Sequence, residues 1–454
     1  MTSRVRGTLI AVALFSPALS ALPIRSAPSA AAFPSVPSAL PAAPVLPAPP
    51  AQVSFEQVMQ ELGNPQVAVR LRALRLLKDA AYPEAAVRIA VLLADADDQV
   101  QLEAVAAELN IFLAEQVVTR KHVALVIEVR NQIAAAAAFS KGPLAIGPRP
   151  VPMEVLTALR MAARDQHPRV AIEALYGFGT LAVEPGGARR RAMLADAGPD
   201  LASMIGAANL AYRDAVVRVI GRVFERRPGD EPVDPVVGDA MIGALNDNDR
   251  GIRAAAMQAL GGMRYERALT ALTDQFQYFG KGELAEASLD AIARIAHPSS
   301  ALILIPQLGS TNEALKATAI EGLARIGDRS RRGNIESAVV GESDARVLLA
   351  AVFAAVLLSD APLDPLAEAL RRPKLADRAR QYLVAVAPGR SAAFSRHAQD
   401  PDAQIRGGVA DALGLAGDTA ALPIVEAMVR DRDPRVAQAA QRAAARLNAL
   451  RRAT

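Results

Sequence analysis

Asp400-Pro401-Asp402-Ala403-Gln404-Ile405-Arg406 opens a unit that begins again at Asp431-Arg432-Asp433-Pro434-Arg435-Val436, 31 residues later. Asp400 is expected to cap a helix, because its carboxylate can accept from the free N–H groups of a first turn. Pro401 suits the first helical position, where its missing N–H costs nothing. Ile405, Val409, Ala412 and Leu413 then recur at helical spacing and make one apolar stripe. Gly414 and Gly417 with Asp418 mark the stop and the turn. Asp418 or Thr419 is placed to cap a second helix, with the stripe Leu422, Val425, Met428 and Val429. Pro423 lies early in it and bends it or sets its start. Two helices this short cannot bury their stripes alone, so each pair needs a neighbour.

The same unit can be followed towards the N-terminus. The helix-opening position falls at Val436, Ile405, about Ala376, about Arg346, Leu315, Leu284 and Ile252, at steps of about 31 residues. The step loosens at Tyr212 and Val170 and tightens again at Val100 and Val69. Gly327-Asp328 repeats the turn of Gly417-Asp418, and Pro306 repeats Pro423. This is the pattern of a quasi-one-dimensional helical array.

From about residue 55 to 450 the units resemble bacterial HEAT-like repeats, the short variety also found in phycobilin lyases. The motif that carries the resemblance is Asp-(Pro)-Asp-x-x-Val/Ile-Arg, then Ala-Leu-Gly-x-x-Gly-Asp, then Ala-Leu-Pro-x-Leu/Val. It is matched best from Asp400 to Val429 and from Asp247 to Gly261. The resemblance implies an all-α fold, a right-handed α-solenoid of about eleven or twelve helical-hairpin repeats. It also implies a ladder between neighbouring repeats, made by the first Asp and the Arg six residues on. Asp247 with Arg253 and Asp400 with Arg406 match fully, and Asn64 with Arg70 is a weaker version. Elsewhere the Arg position holds Gln101, Ala171, Lys316 or Ala437, so the ladder is expected to be interrupted and its pairs to be structural.

A solenoid core grows with each added repeat, so 454 residues need not divide into several globular domains. Aromatics are only 4% of the chain and Trp is absent, which leaves an Ala/Leu/Val core and few aromatic anchors for tight binding. Basic residues number 51 and acidic ones 47. Removal of a segment carrying Arg4 and Arg6 leaves 49 against 47, a near-neutral chain poorly suited to nucleic acid. With no Cys, disulfides, thiolate metal sites and Cys nucleophiles are excluded.

Residues 1–21 read as a secretory signal: Arg4 and Arg6, then the apolar run Leu9 to Phe15, then Ala18-Leu19-Ser20-Ala21 for cleavage. That run is too short to span a membrane. Residues 22–53 are a Pro/Ala-rich disordered linker. Residues 54–140 hold N-terminal repeats, opened by Ser54 as cap with Gln57 in the capping-box position. Residues 141–152 form a Pro/Gly-rich loop after the alanine run Ala134 to Ala138. Residues 153–240 hold irregular, longer repeats, stretched at Pro185-Gly186-Gly187 and from Arg226 to Pro232. Residues 241–454 hold regular repeats ending in a polar helix from Pro434, read as a solvated end cap. Arg189-Arg190-Arg191 reads as a solvated helix face, and Gly206, Gly221, Gly261 and Gly262 as points of close helix packing.

No constellation carries catalysis. His122, His167, His297 and His397 are far apart, and His167 and His297 precede Pro at repeat turns, which suggests capping. The deoxyhypusine hydroxylases, a HEAT-like enzyme family, hold di-iron with repeated His-Glu pairs; this chain has none, so that activity is not carried over. There is no phosphate loop after a strand and no nucleophile elbow. Acidic pairs such as Asp97-Asp98 sit at helix starts, where capping explains them. The expectation is an exported, periplasmic or secreted, non-catalytic scaffold or adaptor without cofactor or metal. Its partner is a protein or peptide, not nucleic acid, and after cleavage it has no stable membrane insertion. The alternatives are a chromophore-lyase-like or chaperone-like role and a nucleic-acid-binding role.

Overall fold

A computed structural model describes residues 54–114 and 134–452, apart from 148, 185 and 228. The expected signal and linker, and His122, lie outside these residues. Within them the chain is an all-α solenoid with the helix-turn-helix units of a HEAT-like repeat fold. Among the described residues no strand occurs; one isolated bridge joins Leu113 to Ile146.

The stripes read from the sequence point inward. Val100, Val170, Ile252, Leu284, Leu315, Ile405 and Val436 are all buried. The register slips by one at Arg346, which is exposed while Val347 is buried. The caps fall slightly later than the sequence suggests. Asp402, not Asp400, caps the helix Ala403–Ala416 by accepting from the Gln404 amide. Asp400 instead accepts from the Asp402 amide one turn earlier, because Pro401 and Asp402 are still in the turn. Asp95, Asp165, Asp247 and Asp431 make the same contact at their own units.

Two helices per unit build two rows of unequal density. The helices Leu210–Val223, Arg250–Met263, Glu283–Ile295, Glu313–Ile326 and Ala345–Ser359 pack each on the next. The helices before them, such as Leu269–Phe279 and Ala301–Gln307, pack mainly on their own partners. The denser row, termed the inner row, is continuous from Leu210 to Ser359; the other is termed the outer row. Small residues allow that density. A Cβ at Gly261 would stand 2.7 Å from the Ala291 Cα, and one at Gly414 2.7 Å from the Ala443 Cα. Gly221 meets Ala259 in the same way, whereas Gly206 has nothing near it.

Gly261→Ala should therefore destabilise the array by about 1–3 kcal/mol through overpacking against backbone, although Ala is the better helix former. Gly243→Ala, in a helical residue with open space around it, should stabilise by about 0.5–1 kcal/mol. Urea melts of the two variants test the pair; equal effects would contradict close packing at Gly261.

The row is disturbed near its end. The helix Ala376–Val386 lies across Ala345–Ser359, with the Tyr382 ring stacked 4.3 Å from that of Phe353. The last helix, Pro434–Arg451, is not merely a solvated cap. Its Arg446 donates to the Pro143 carbonyl, and Leu450 fills the space a Cβ on Gly186 would need. The C-terminal end thus touches the loop 141–152 and the start of the helix Gly187–Met204.

Candidate interaction surface

The charged openings of successive units are joined along the array. Arg406 donates to both carboxylate oxygens of Asp431 in the next unit, at 2.7 and 2.8 Å. Its remaining nitrogen donates to the Asp400 carbonyl, which closes its own turn. Arg213 reaches Asp247 in the same two-pronged way, Arg70 reaches Asp95, and Lys316 reaches Glu342. Gln101 donates to Asp165, so an amide stands in for a cation there. Each cation thus belongs with the acid of the following unit, and the Asp247–Arg253 and Asp400–Arg406 pairs do not meet as carboxylate and guanidinium. Arg253 donates to the Asp247 carbonyl. Asp247 accepts from Arg213, and Asp400 is met by Arg371.

The Arg406 hydrogen bond is the first cause holding the Asp431 carboxyl below the usual carboxylate range. A depressed folded-state pKa contributes stability above the unfolded value, lost as pH falls through the folded one. Arg406→Ala should cost about 1.5–3 kcal/mol at neutral pH, because charge-assisted bonds in a sheltered site are lost. The difference between wild type and variant should shrink in acid melts; a pH-independent difference would show that the pair contributes nothing.

Three groups bear the marks of functional chemistry. The first is Glu108, fully buried on the helix Asp98–Phe112, with neither carboxyl oxygen hydrogen-bonded. Burial pushes its carboxyl well above the ordinary range. No substrate can reach it, so it is not placed to act as a catalytic acid. The sequence contained the signal: Gln101, Ala104, Val105 and Glu108 share a face, and the polar member was passed over.

The second is a cleft of about 660 Å³ bounded by Val356, Asp360, Leu363, Arg390 and Arg396. Its charges are spent on one another: Arg390 donates to the Val356 carbonyl and to Asp360, and Arg396 pairs with Asp364. The third is a buried acid, Glu321. It accepts from the Tyr382 hydroxyl at 2.6 Å and from Arg325 at 3.1 Å, and Arg378 approaches at 3.4 Å. Both carboxylate oxygens are satisfied, so the cluster braces two helices, Glu313–Ile326 and Ala376–Val386.

The histidines do not converge. His297 accepts from the Ser299 amide and so caps its turn, as its position before Pro298 suggested. His167 sits at the start of its helix 3.7 Å from Asp98, and His397 is buried with its ring pushed down by burial, then by Arg396. Among the described residues no three potential ligands gather as a metal site, and no helix is long and apolar enough to cross a membrane. Arg190, read as solvated, is buried instead. It donates to Asp230 and to the Val223 and Glu225 carbonyls, because the helix Gly187–Met204 turns that side into the core.

No family model matches the chain, and no curated protein matches it. Solved structures do. An engineered protein aligns at 17% identity over 87% of this chain and 98% of its own, with a TM-score of 0.43. Importin beta aligns at 12% identity over 88% of this chain and 57% of its own, with a TM-score of 0.42. Kap95p, described in complex with RanGDP, aligns at 15% identity, covering 85% of this chain and 49% of that one, with a TM-score of 0.34. The chain spans about half the length of these last two proteins.

Proposed function

We propose that this protein is a non-catalytic scaffold that binds another protein along the inner helix row. The observation that carries the reading is the row itself. It is continuous, closely packed and built from repeated units. Such a surface offers many small contacts rather than one deep site. The Glu321 cluster and the charged pairs at the unit openings are mutually satisfied, as expected of braces. The units are of the short bacterial HEAT-like variety, on the strength of the Asp-x-Asp-x-x-Ile-Arg opening and the Gly-Asp turn. The protein is exported, on the strength of Arg4, Arg6 and the apolar run that follows them.

Affinity purification of the tagged full chain after in-cell crosslinking, done separately on cytosolic and exported fractions, tests the reading. The expected result is a processed chain in the exported fraction with a partner in fixed ratio. Full-length chain in the cytosol would sink the export claim. A chain without partner in either fraction would sink the scaffold claim.

A further inference from the structure

We infer that the C-terminal ends of the inner-row helices form a docking surface for an acidic protein segment, anchored on Arg226 and Arg264. The inference rests on the scaffold reading and names the chemistry of its partner. The close approaches at Gly221–Ala259, Gly261–Ala291 and Gly322–Ala293 fix the register of four successive helices. That register puts Arg226, just past the end of the first helix, Arg264 at the end of the second and Arg325 in the last turn of the fourth at the same end of the row. Arg378 joins them through its contact with Glu321, which Arg325 shares. Glu321 pairs with Arg325 and Arg378, and Glu225 is close enough to Arg264 for their charges to interact.

Arg325 and Arg378 are occupied with Glu321. Arg226 and Arg264 have no hydrogen-bonded or ion-paired side-chain partner among the described residues. Arg264 is open to solvent. Burial first, then the guanidinium groups of Arg226 and Arg325, hold it below the usual arginine range. Water thus reaches the side chain, while neighbouring protein and like charge crowd it. A helix C-terminus welcomes one cation, but not a crowd of them. An incoming carboxylate would relieve the crowding.

The backbone at Arg264 adds a second observation. It caps its helix in the left-handed region, with φ 52°. Gly327 and Gly417 fill the same position in other repeats, where no Cβ is strained. Ala81, Ala296 and Asp360 also occupy it, but Asp360 is ion-paired and Ala81 and Ala296 carry no charge. Among the described residues, Arg264 alone places on such a cap a charge without a hydrogen-bonded or ion-paired partner.

An acidic polypeptide fits better than nucleic acid. Glu225 and Glu321 stand among the arginines and would repel a continuous phosphate backbone, whereas spaced carboxylates can pass between them. Aromatic platforms for bases are scarce, with no Trp in the chain.

The test uses the full chain and a labelled peptide of alternating Glu and Ser at low salt, read by fluorescence anisotropy. Binding is expected to weaken about tenfold in Arg264→Gly and again in Arg226→Gln, and to fade with salt. Arg264→Gly should leave the thermal midpoint unchanged or higher. Peptide affinity unmoved by either substitution would overturn the inference. So would tighter binding of a single-stranded oligonucleotide of equal charge, or a clear fall in the thermal midpoint of Arg264→Gly. A cellular partner whose recovery ignores both substitutions would overturn it too, while leaving the scaffold reading in place.

Discussion

Replacing Glu321 by Leu should lower the stability of the C-terminal half by about 3–5 kcal/mol, the usual result of removing one member of a buried charge cluster. Glu321 is 2% exposed and binds three donors from two other directions: Arg325 on its own helix, and Arg378 and Tyr382 on the helix Ala376–Val386. Without it the Tyr382 hydroxyl has no acceptor, and the Arg325 guanidinium over the Phe353 ring loses its carboxylate. The loss would be local as well as large. The helix Ala376–Val386 is held down by the Tyr382–Phe353 stack and this cluster, so its amides should exchange with solvent first. Hydrogen exchange across residues 376–386 in Glu321→Leu reads this directly. Tyr382→Phe should cost less than Glu321→Leu, because it removes one bond and leaves both ion pairs. If the two cost the same, the arginines contribute nothing and the brace is a single hydroxyl bond.

The second large effect has the opposite sign. Glu108→Met should stabilise the N-terminal repeats by about 1–4 kcal/mol, because an apolar side chain of similar volume replaces a buried carboxyl that has no partner. The pH dependence follows from linkage. Its folded-state pKa is raised above the unfolded value, so its contribution is fully present below the unfolded value and is lost as pH rises through the folded one. Wild type should lose up to about 1.4 kcal/mol per pH unit across that window, and Glu108→Met should lose none of it. Urea melts at a series of pH values check both points. A variant less stable than wild type at neutral pH would mean that Glu108 is satisfied in solution.

Much of the fold was legible because it depends on local rules. Ile405, Ile252 and Val436 are buried because a short amphipathic helix can hide only one face, and the 31-residue step fixes which face that is. Gly221 and Gly261 were readable as close packing, since nothing else recommends Gly inside a helix. The caps were misplaced by two residues because Asp400 and Asp402 are equally good acceptors. Only the turn geometry assigns the helix to Asp402.

What the sequence hid is what pairs across units. Gln101 looked like a gap in a ladder, yet it bonds Asp165, 64 residues on, beyond an irregular stretch that breaks the step. Arg190 looked like one of three solvated arginines until the helix Gly187–Met204 placed it against Asp230. Arg446 meets Pro143 across 303 residues, and nothing in a repeat that sees only its neighbours announces such a contact. The pair Arg226 and Arg264, without a hydrogen-bonded or ion-paired side-chain partner among the described residues, was hidden for the same reason. Each sits at an ordinary repeat turn, and their shared lack of partners appears only when the helices are stacked.

In-cell photocrosslinking separates the inner row from the outer one most directly. A photoreactive residue is placed at Glu225, exposed between Arg226 and Arg264, or at Tyr278, which is 83% exposed on the outer-row helix Leu269–Phe279. A protein adduct at position 225 and none at 278 is the expected result. Adducts at 278 alone, or at neither position, would contradict an inner row that binds a protein partner.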